Sequence, residues 1–447
     1  MAAPADRLSP LTLPCFIGLD LGTSGCRAVA VDSTGRTLAR EAVTLPEPIS
    51  EPGGGRRQDA LLWWRAATQV LRRLVFRLSG HHPVALAVDG TSATVLITDA
   101  SGRPLAPALM YDDRRAVGPA ARLADRAPPE TPVHTPTSSL AKVLWLLEHV
   151  DSRKAAHVLH QAEWITARLC GRFDIGDANN CLKLGYDPVS ETWPHWLTAL
   201  ALPDKLLPKV VTPGTVLGPL TPTASRETGL PAACQVVAGT TDSTAAALAA
   251  GLERPGDALT SLGSTLVTKV LSPKPVFHGG YGVYSHHILD RWLVGGASNS
   301  GGRVLLAHFE EEELTHLSAR IHPQRPLCLD YYPLPPGTGE RFPVNDPEMA
   351  PRLHPVPRDR ARFLQALLEG MAAIERLAYR RLETLGAPAV GRVFTSGGGA
   401  SNTAWTAIRR RVLKREILPA RHGEPAWGAA FVARHALGEA AGRPLMP

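Results

Sequence analysis

The chain makes one small polar corner twice, and that repetition constrains its fold more than any other feature. The first copy lies in Ile17-Gly-Leu-Asp-Leu-Gly-Thr-Ser-Gly-Cys-Arg-Ala-Val-Ala-Val-Asp32. Two apolar runs flank Gly22, Thr23, Ser24 and Gly25, the pattern of a β-hairpin with a tight connection. Asp20 ends the incoming strand. The second copy is Leu259-Thr-Ser-Leu-Gly-Ser-Thr-Leu-Val-Thr-Lys-Val270, where Leu262, Gly263, Ser264 and Thr265 answer Leu21 to Ser24 without the preceding acid. Such a corner can aim several N–H groups and hydroxyls at one point, which suits phosphate oxygens. Either copy alone reads equally well as an ordinary hairpin. Together they predict two related lobes closing on one polyphosphate.

Length agrees with two lobes: 447 residues are too many for one core and suit two domains of roughly 200. The expected division is a flexible tail over 1–14, a first lobe over 15–233 and a second over 234–447, with the break just before the strand starting at Gln235. With 44% hydrophobic and 20% charged residues the chain reads as soluble and globular. No apolar run approaches the roughly 20 residues that span a bilayer, and the first residues lack a signal-peptide core. Cys15, Cys26, Cys170, Cys181, Cys234 and Cys328 are scattered, which argues against a zinc site or disulfide framework and fits a cytoplasmic protein. The net charge of +7 is spread out. Its densest cluster, Arg409, Arg410, Arg411, Lys414 and Arg415, has helical spacing without aromatics and reads as a solvated helix face, so neither nucleic acid nor membrane is an expected partner. A monomer or homodimer is expected.

Along the chain, Asp59 caps a helix running to Leu78, with apolar residues at 62, 66, 70, 74 and 78. A strand, Val84–Val88, ends in Asp89-Gly-Thr-Ser-Ala-Thr94, and Val95–Thr98 follows. Residues 138–150 and 153–170 read as helices. The strand from Gln235 enters the polar turn Gly239-Thr-Thr-Asp242 and an Ala-rich helix leaves it, stopping at Gly251. A Gly-rich loop spans 295–302, Pro333–Asp346 is irregular, and Asp359–Leu385 reads as one long helix. The strand Arg392–Thr395 delivers Ser396-Gly-Gly-Gly-Ala-Ser-Asn402 onto another helix, and a last helix covers about 425–437.

These landmarks, in this order from 15 to about 440, resemble the FGGY carbohydrate kinases, members of the actin/hexokinase/Hsp70 fold. Gly339-Glu340-Arg341-Phe342-Pro343 matches the family's Gly-Glu-Arg-x-Pro, Glu369-Gly370 its long-helix pair, and Gly397–Gly399 its adenosine-side glycines. The resemblance implies a two-lobed α/β fold, ribonuclease H-like and duplicated, with a central cleft. Within the family, xylulokinases carry Gly-Gln-Met-His-Gly beside the sugar. Here the stretch is Gly90-Thr-Ser-Ala-Thr94, with Ala93 in the histidine position. The Asp-Gly-Thr-Ser and Gly-Thr-Thr-Asp-Ser strings look most like the compact D-ribulose kinases of cyanobacteria and plant plastids.

Phosphoryl transfer to an alcohol needs an aligned acceptor, neutralised phosphate charge and a carboxylate for the hydroxyl proton. The resemblance places that base at Asp242, which could also simply start its helix. Asp20 is assigned to a magnesium ion through water. Thr23 and Ser24, with Gly263, Ser264 and Thr265, would hold phosphates by N–H and hydroxyl donors. Gly397 and Gly398 would let the backbone approach adenosine. Asn402 bonds the nucleoside or caps its helix. Asn299 and its loop line the nucleotide cleft. For the sugar, resemblance points to Ser92 and Asp242, then Asp113, although the 112–115 run could equally be an ion-pair cluster. The expected reaction is ATP- and Mg²⁺-dependent phosphorylation of a ketopentose, D-ribulose first, with xylulose or a polyol such as glycerol as alternatives. A non-catalytic nucleotide switch of the same fold is the rival from another class. A dinucleotide dehydrogenase lacks its Gly-x-Gly-x-x-Gly.

Overall fold

The computed structural model describes residues 12–200, 202, 203 and 205–440. The chain divides into two units. The first takes the residues up to Ala127, Val133–Ala245 and those from Glu424 onward; the second takes Pro128–Pro132 and Ala246–Gly423. Most of the expected tail lies outside the described residues, and Leu13 and Pro14 already belong to the first strand.

The first unit is built on a six-stranded sheet in the order Val216–Pro219, Gln235–Thr241, His81–Gly90, Leu13–Leu21, Gly25–Asp32, Thr37–Thr44. The hairpin at its centre is antiparallel, and its corner closes with Gly22 N donating to Gly25 O at 2.9 Å. Leu13–Leu21, His81–Gly90 and Gln235–Thr241 run parallel. Helices bury these strands, which is why they read as nearly unbroken apolar runs. Ala60–Phe76, capped by Asp59 accepting from Leu61 N, packs against the hairpin side, and Gln161–Cys170 against the parallel side. Trp63 and Trp164 join those helices edge to face, their rings 6.3 Å apart. The C-terminal helix Pro425–Ala440 returns to the first strand, so closely that a Cβ on Gly18 would fall 1.8 Å from Ala426 O.

Two expectations change here. The single helix over 153–170 is broken: His157–His160 is a strand paired with Val95–Thr98, and the helix starts only at Gln161. Cross-strand pairing overrides the helical periodicity, and Val158, Leu159 and His160 are all buried in the strand. The expected division after residue 233 also differs from the structure. Gln235–Thr241 completes the first sheet, so Asp242 belongs to the first unit.

The second unit repeats the plan. Its sheet runs Tyr284–Ile288, Arg291–Ser298, Leu266–Ser272, Ala258–Leu262, Arg392–Ser396, Glu416–Pro419. Again an antiparallel hairpin pairs on its first strand with a parallel one, here Ala258–Leu262 with Arg392–Ser396. The long helix Arg360–Thr384, capped by Asp359 accepting from Arg362 N, buries Leu364, Leu367, Leu368 and Met371 in the core. Each such side chain is worth roughly 1.5–3 kcal/mol of transfer free energy. The basic cluster is a solvated face only in part: Arg410, Lys414 and Arg415 are exposed, Arg409 and Arg411 turn inward. Arg409 is fully buried, with Nε and Nη2 each 2.7 Å from Glu375, and Nη1 donating to Thr395. Arg411 pairs with Glu369, and Arg410 donates to Ile417 O. No described helix is long and apolar enough to cross a membrane.

Candidate active site

In the first unit, register gathers three carboxyls at the carboxyl ends of the parallel strands. Asp20 lies opposite Asp89, Asp89 lies opposite Thr240, and Asp242 follows two residues later as the first residue of its helix. This is where open α/β sheets bind their ligands. Asp20 is 3% exposed and Asp89 is fully buried. Arg27 Nη1 approaches Asp20 Oδ2 at 3.4 Å. Among the described residues no N–H or hydroxyl donor reaches either oxygen of Asp89; its hydrogen-bonding neighbour is the Asp20 carboxyl. Burial pushes both acids up, Asp89 well above the usual carboxylate range, where the charges of Asp20 and then Asp242 raise it further. The pair is short of positive charge.

A divalent cation fits that deficit. Magnesium binds through one or two carboxylates and otherwise keeps water or phosphate oxygens. Among the described residues no group of three His, Cys, Asp or Glu is placed to cage a metal. Asp89 is the residue the sequence reading passed over. It was visible only as the first letter of Asp-Gly-Thr-Ser, and its burial against Asp20 arises from pairing across about 70 residues.

The remaining first-unit candidates sit on short loops. Thr23 is half-buried and Ser24 exposed, with Leu45 N held to Ser24 O at 2.8 Å. Asp242 is half-buried, and its Oδ1 accepts from Ser243 N at 2.5 Å, so it does serve the start of its helix. Ser92 is the half-buried member of the turn Thr91–Thr94, which closes with Thr94 N to Thr91 O at 3.2 Å. Gln161 Oε1 accepts from Thr91 N and from its hydroxyl. Ala93 in that turn holds φ at 69°, a left-handed conformation costing a non-glycine residue about 1–2 kcal/mol. Asp113, expected near the sugar, is instead fully buried and spent on its own loop: Oδ2 accepts from Arg56 N at 2.7 Å, and Arg115 bonds both oxygens. Arg115 continues to Glu51, and Arg56 approaches Asp112 at 3.5 Å.

In the second unit the corner Gly263–Thr265 is exposed at its tip and braced from behind. Leu266 N donates to Ser300 O at 2.7 Å, Gly302 N to Gly263 O at 2.8 Å, and Arg303 N to Ser264 O at 3.2 Å. The bracing loop is anchored by Glu340, which is 1% exposed and accepts from Ser298 Oγ, Asn299 N, Tyr332 Oη and Arg341 N. Asn299, expected to line a nucleotide cleft, donates to Thr338 O and Gly339 O within this brace. Gly397, at φ 85°, passes so near the corner's strand that a Cβ would lie 2.6 Å from Leu262 O. A Cβ on Gly398 would meet open space among the described residues. Of the two roles left open for Asn402, the structure contains the cap: Oδ1 accepts from Trp405 N at 2.9 Å, and Nδ2 donates to Ser318.

The family model for the N-terminal domain of the FGGY family of carbohydrate kinases matches residues 15–249, and that for its C-terminal domain matches 258–437. The xylulose kinase of Streptomyces coelicolor is 31% identical, over 93% of this chain and 87% of that protein. That of Escherichia coli is 26% identical, over 94% and 89%. Among solved structures, the xylulose kinase of Rhodospirillum rubrum superposes with a TM-score of 0.82 at 26% identity, covering 96% of this chain and 90% of that one. A glycerol kinase from Plasmodium falciparum, solved with ADP, superposes at 0.84 with 14% identity, covering 96% and 90%, a likeness of fold.

Proposed function

The chain belongs to the FGGY family of carbohydrate kinases and is an ATP-dependent sugar kinase; we propose that its acceptor is a ketopentose, D-ribulose first, phosphorylated at the terminal C5 hydroxyl. The observation that carries the kinase chemistry is the set of three carboxyls, Asp20, Asp89 and Asp242, at the ends of three neighbouring parallel elements.

In this reading the C5 oxygen attacks the γ-phosphorus, the bond to the β-phosphate oxygen breaks, ADP leaves, and the hydroxyl proton passes to Asp242. In a loose transition state alignment matters more than basicity. Asp20, with Asp89 beside it, would hold magnesium, which neutralises phosphate charge when bound. Thr23 and Ser24 in one unit, and Gly263, Ser264 and Thr265 in the other, would donate to phosphate oxygens. Gly397 and Gly398 would give the nucleoside a bare backbone. Ser92 would bond the sugar; the binding of Asp113 to Arg115 makes it a support of that region.

D-ribulose is preferred over its C3 epimer D-xylulose because Ala93, 1% exposed, offers no hydrogen bond where xylulokinases carry histidine. D-xylulose is the second reading, favoured by the xylulose kinases among its relatives. The two are separated by ADP release with each sugar and with glycerol. A kcat/KM for D-ribulose at least about tenfold above that for D-xylulose, a margin of about 1.4 kcal/mol, supports the first. The reverse order moves the assignment to D-xylulose.

A further inference from the structure

Lys142 is a fully buried cation beside the turn Thr91–Thr94, and no carboxylate among the described residues hydrogen-bonds it. It lies in the first turns of the helix Ser139–His149 and is 0% exposed. Its Nζ donates to two backbone carbonyls, Ala93 O at 2.6 Å and Met110 O at 2.9 Å. Burial, and then the charge of Lys183, push its pKa down to about 7 against the pull of Asp113 and Asp112. Near neutral pH it is therefore held by hydrogen bonds to carbonyls and not by a counter-ion.

The first carbonyl belongs to the turn the sequence connects with the sugar, the second lies two residues before the run 112–115. Ala93 O follows the strained φ of 69° in the turn presenting Ser92. A non-glycine left-handed residue persists only where its surroundings over-determine it. The rest of the turn is tied on the other side: Thr91 to Gln161 Oε1, Thr94 O to Gln161 N at 3.0 Å, and the Thr91 and Thr94 hydroxyls to each other at 2.6 Å. Lys142 supplies the bond to the strained residue's own carbonyl. Met110 O also accepts from Asp113 N at 3.0 Å, so the same ammonium links the turn to the Asp113–Arg115 brace.

We propose that Lys142 is a positioning residue for the sugar: by bridging Ala93 O and Met110 O it holds the left-handed turn that sets the direction of Ser92. The ammonium makes no contact with solvent and acts through the turn. The inference rests on Ser92 being a sugar contact, and the test separates the two. Lys142→Met should raise the KM for the accepted pentulose about tenfold or more while the KM for ATP stays within about twofold. Ala93→Gly removes the steric penalty at φ 69°. In the Lys142→Met background it should therefore recover a large part of the lost sugar affinity, which a general packing defect would not do. Ser92→Ala should raise the sugar KM in an otherwise intact enzyme. If Ser92→Ala leaves the sugar KM unchanged, the underlying assignment of Ser92 fails. If Ser92→Ala raises it but Lys142→Met moves both KM values together, or Ala93→Gly brings no recovery, the positioning role is overturned. Failure of both the single and the double variant to fold would make Lys142 a residue of core stability and equally overturn it.

Discussion

Asp20 and Asp89 stand opposite each other in the register of two parallel strands, and no amide or hydroxyl among the described residues reaches the second of them. Both titrate higher in the folded chain than in the unfolded one, so the folded state binds more protons. Stability must then fall as pH rises from the ordinary carboxylate range, about 4, through the raised values. Urea unfolding in divalent-free buffer should show the wild type less stable at pH 8 than at pH 5. Asp89→Asn should remove much of that fall and stabilise the protein at pH 8 by about 1–3 kcal/mol, the desolvation cost of an unsatisfied buried group. Added Mg²⁺ should stabilise the wild type at pH 8 more than the variant. A variant that keeps the full pH dependence would show that the pair does not store this repulsion.

Asp242 has a helix-starting bond that does not need its charge in full, since an amide oxygen can also accept from Ser243 N. Asp242→Asn should therefore fold normally and bind ATP as the wild type does. Sugar-dependent ADP release should drop about 10²–10⁴-fold, the usual worth of a positioned proton acceptor. Turnover retained in both Asp242→Asn and Asp242→Ala would move the role to another carboxylate.

Glu340 joins four donors behind the Gly263–Thr265 corner, a charge-assisted set roughly twice as strong per bond as neutral ones. Glu340→Gln keeps the shape but replaces one accepting oxygen by a donor. The KM for ATP should rise several-fold with the sugar KM little changed, and Tm should fall. Equal effects on both KM values would detach the brace from the nucleotide side.

Arg409 and Glu375 form a buried bidentate pair in the second unit. Removing one partner leaves an uncompensated charge, so Arg409→Met should cost about 3–5 kcal/mol in chemical denaturation. Replacing both, Arg409→Met with Glu375→Leu, should recover much of that loss. A double variant as unstable as the single one would mean that Thr260, Thr395 and Tyr379, which share the network, carry the cost instead.

Much of this architecture was legible from local chemistry. The two Gly-hydroxyl corners lie in hairpins, and Asp59 and Asp359 cap the helices their spacing marks. What stayed hidden was set by long-range pairing. His157–His160 is a strand because Val95–Thr98 runs beside it, and Gln235–Thr241 belongs to the first sheet because His81–Gly90 accepts it. Asp89 and Asp113 look alike in sequence, both acids in polar runs. Only the folded neighbours distinguish an acid left without donors from one saturated by Arg115 and Arg56 N. Arg409 likewise sits among arginines that face outward by periodicity, yet its side chain turns to Glu375 on a helix more than thirty residues earlier.

The closing helix, Pro425–Ala440, covers the strand with which the fold begins. A ribosome must therefore deliver nearly the whole polypeptide before Gly18 and the strand face it shares are covered. Residues 246–423, by contrast, hold all six strands of their own sheet and can mature earlier. Assembly thus inverts the order of synthesis: the half made first is sealed last, and a nascent chain halted short of Pro425 would present an oily strand face for chaperones to shield.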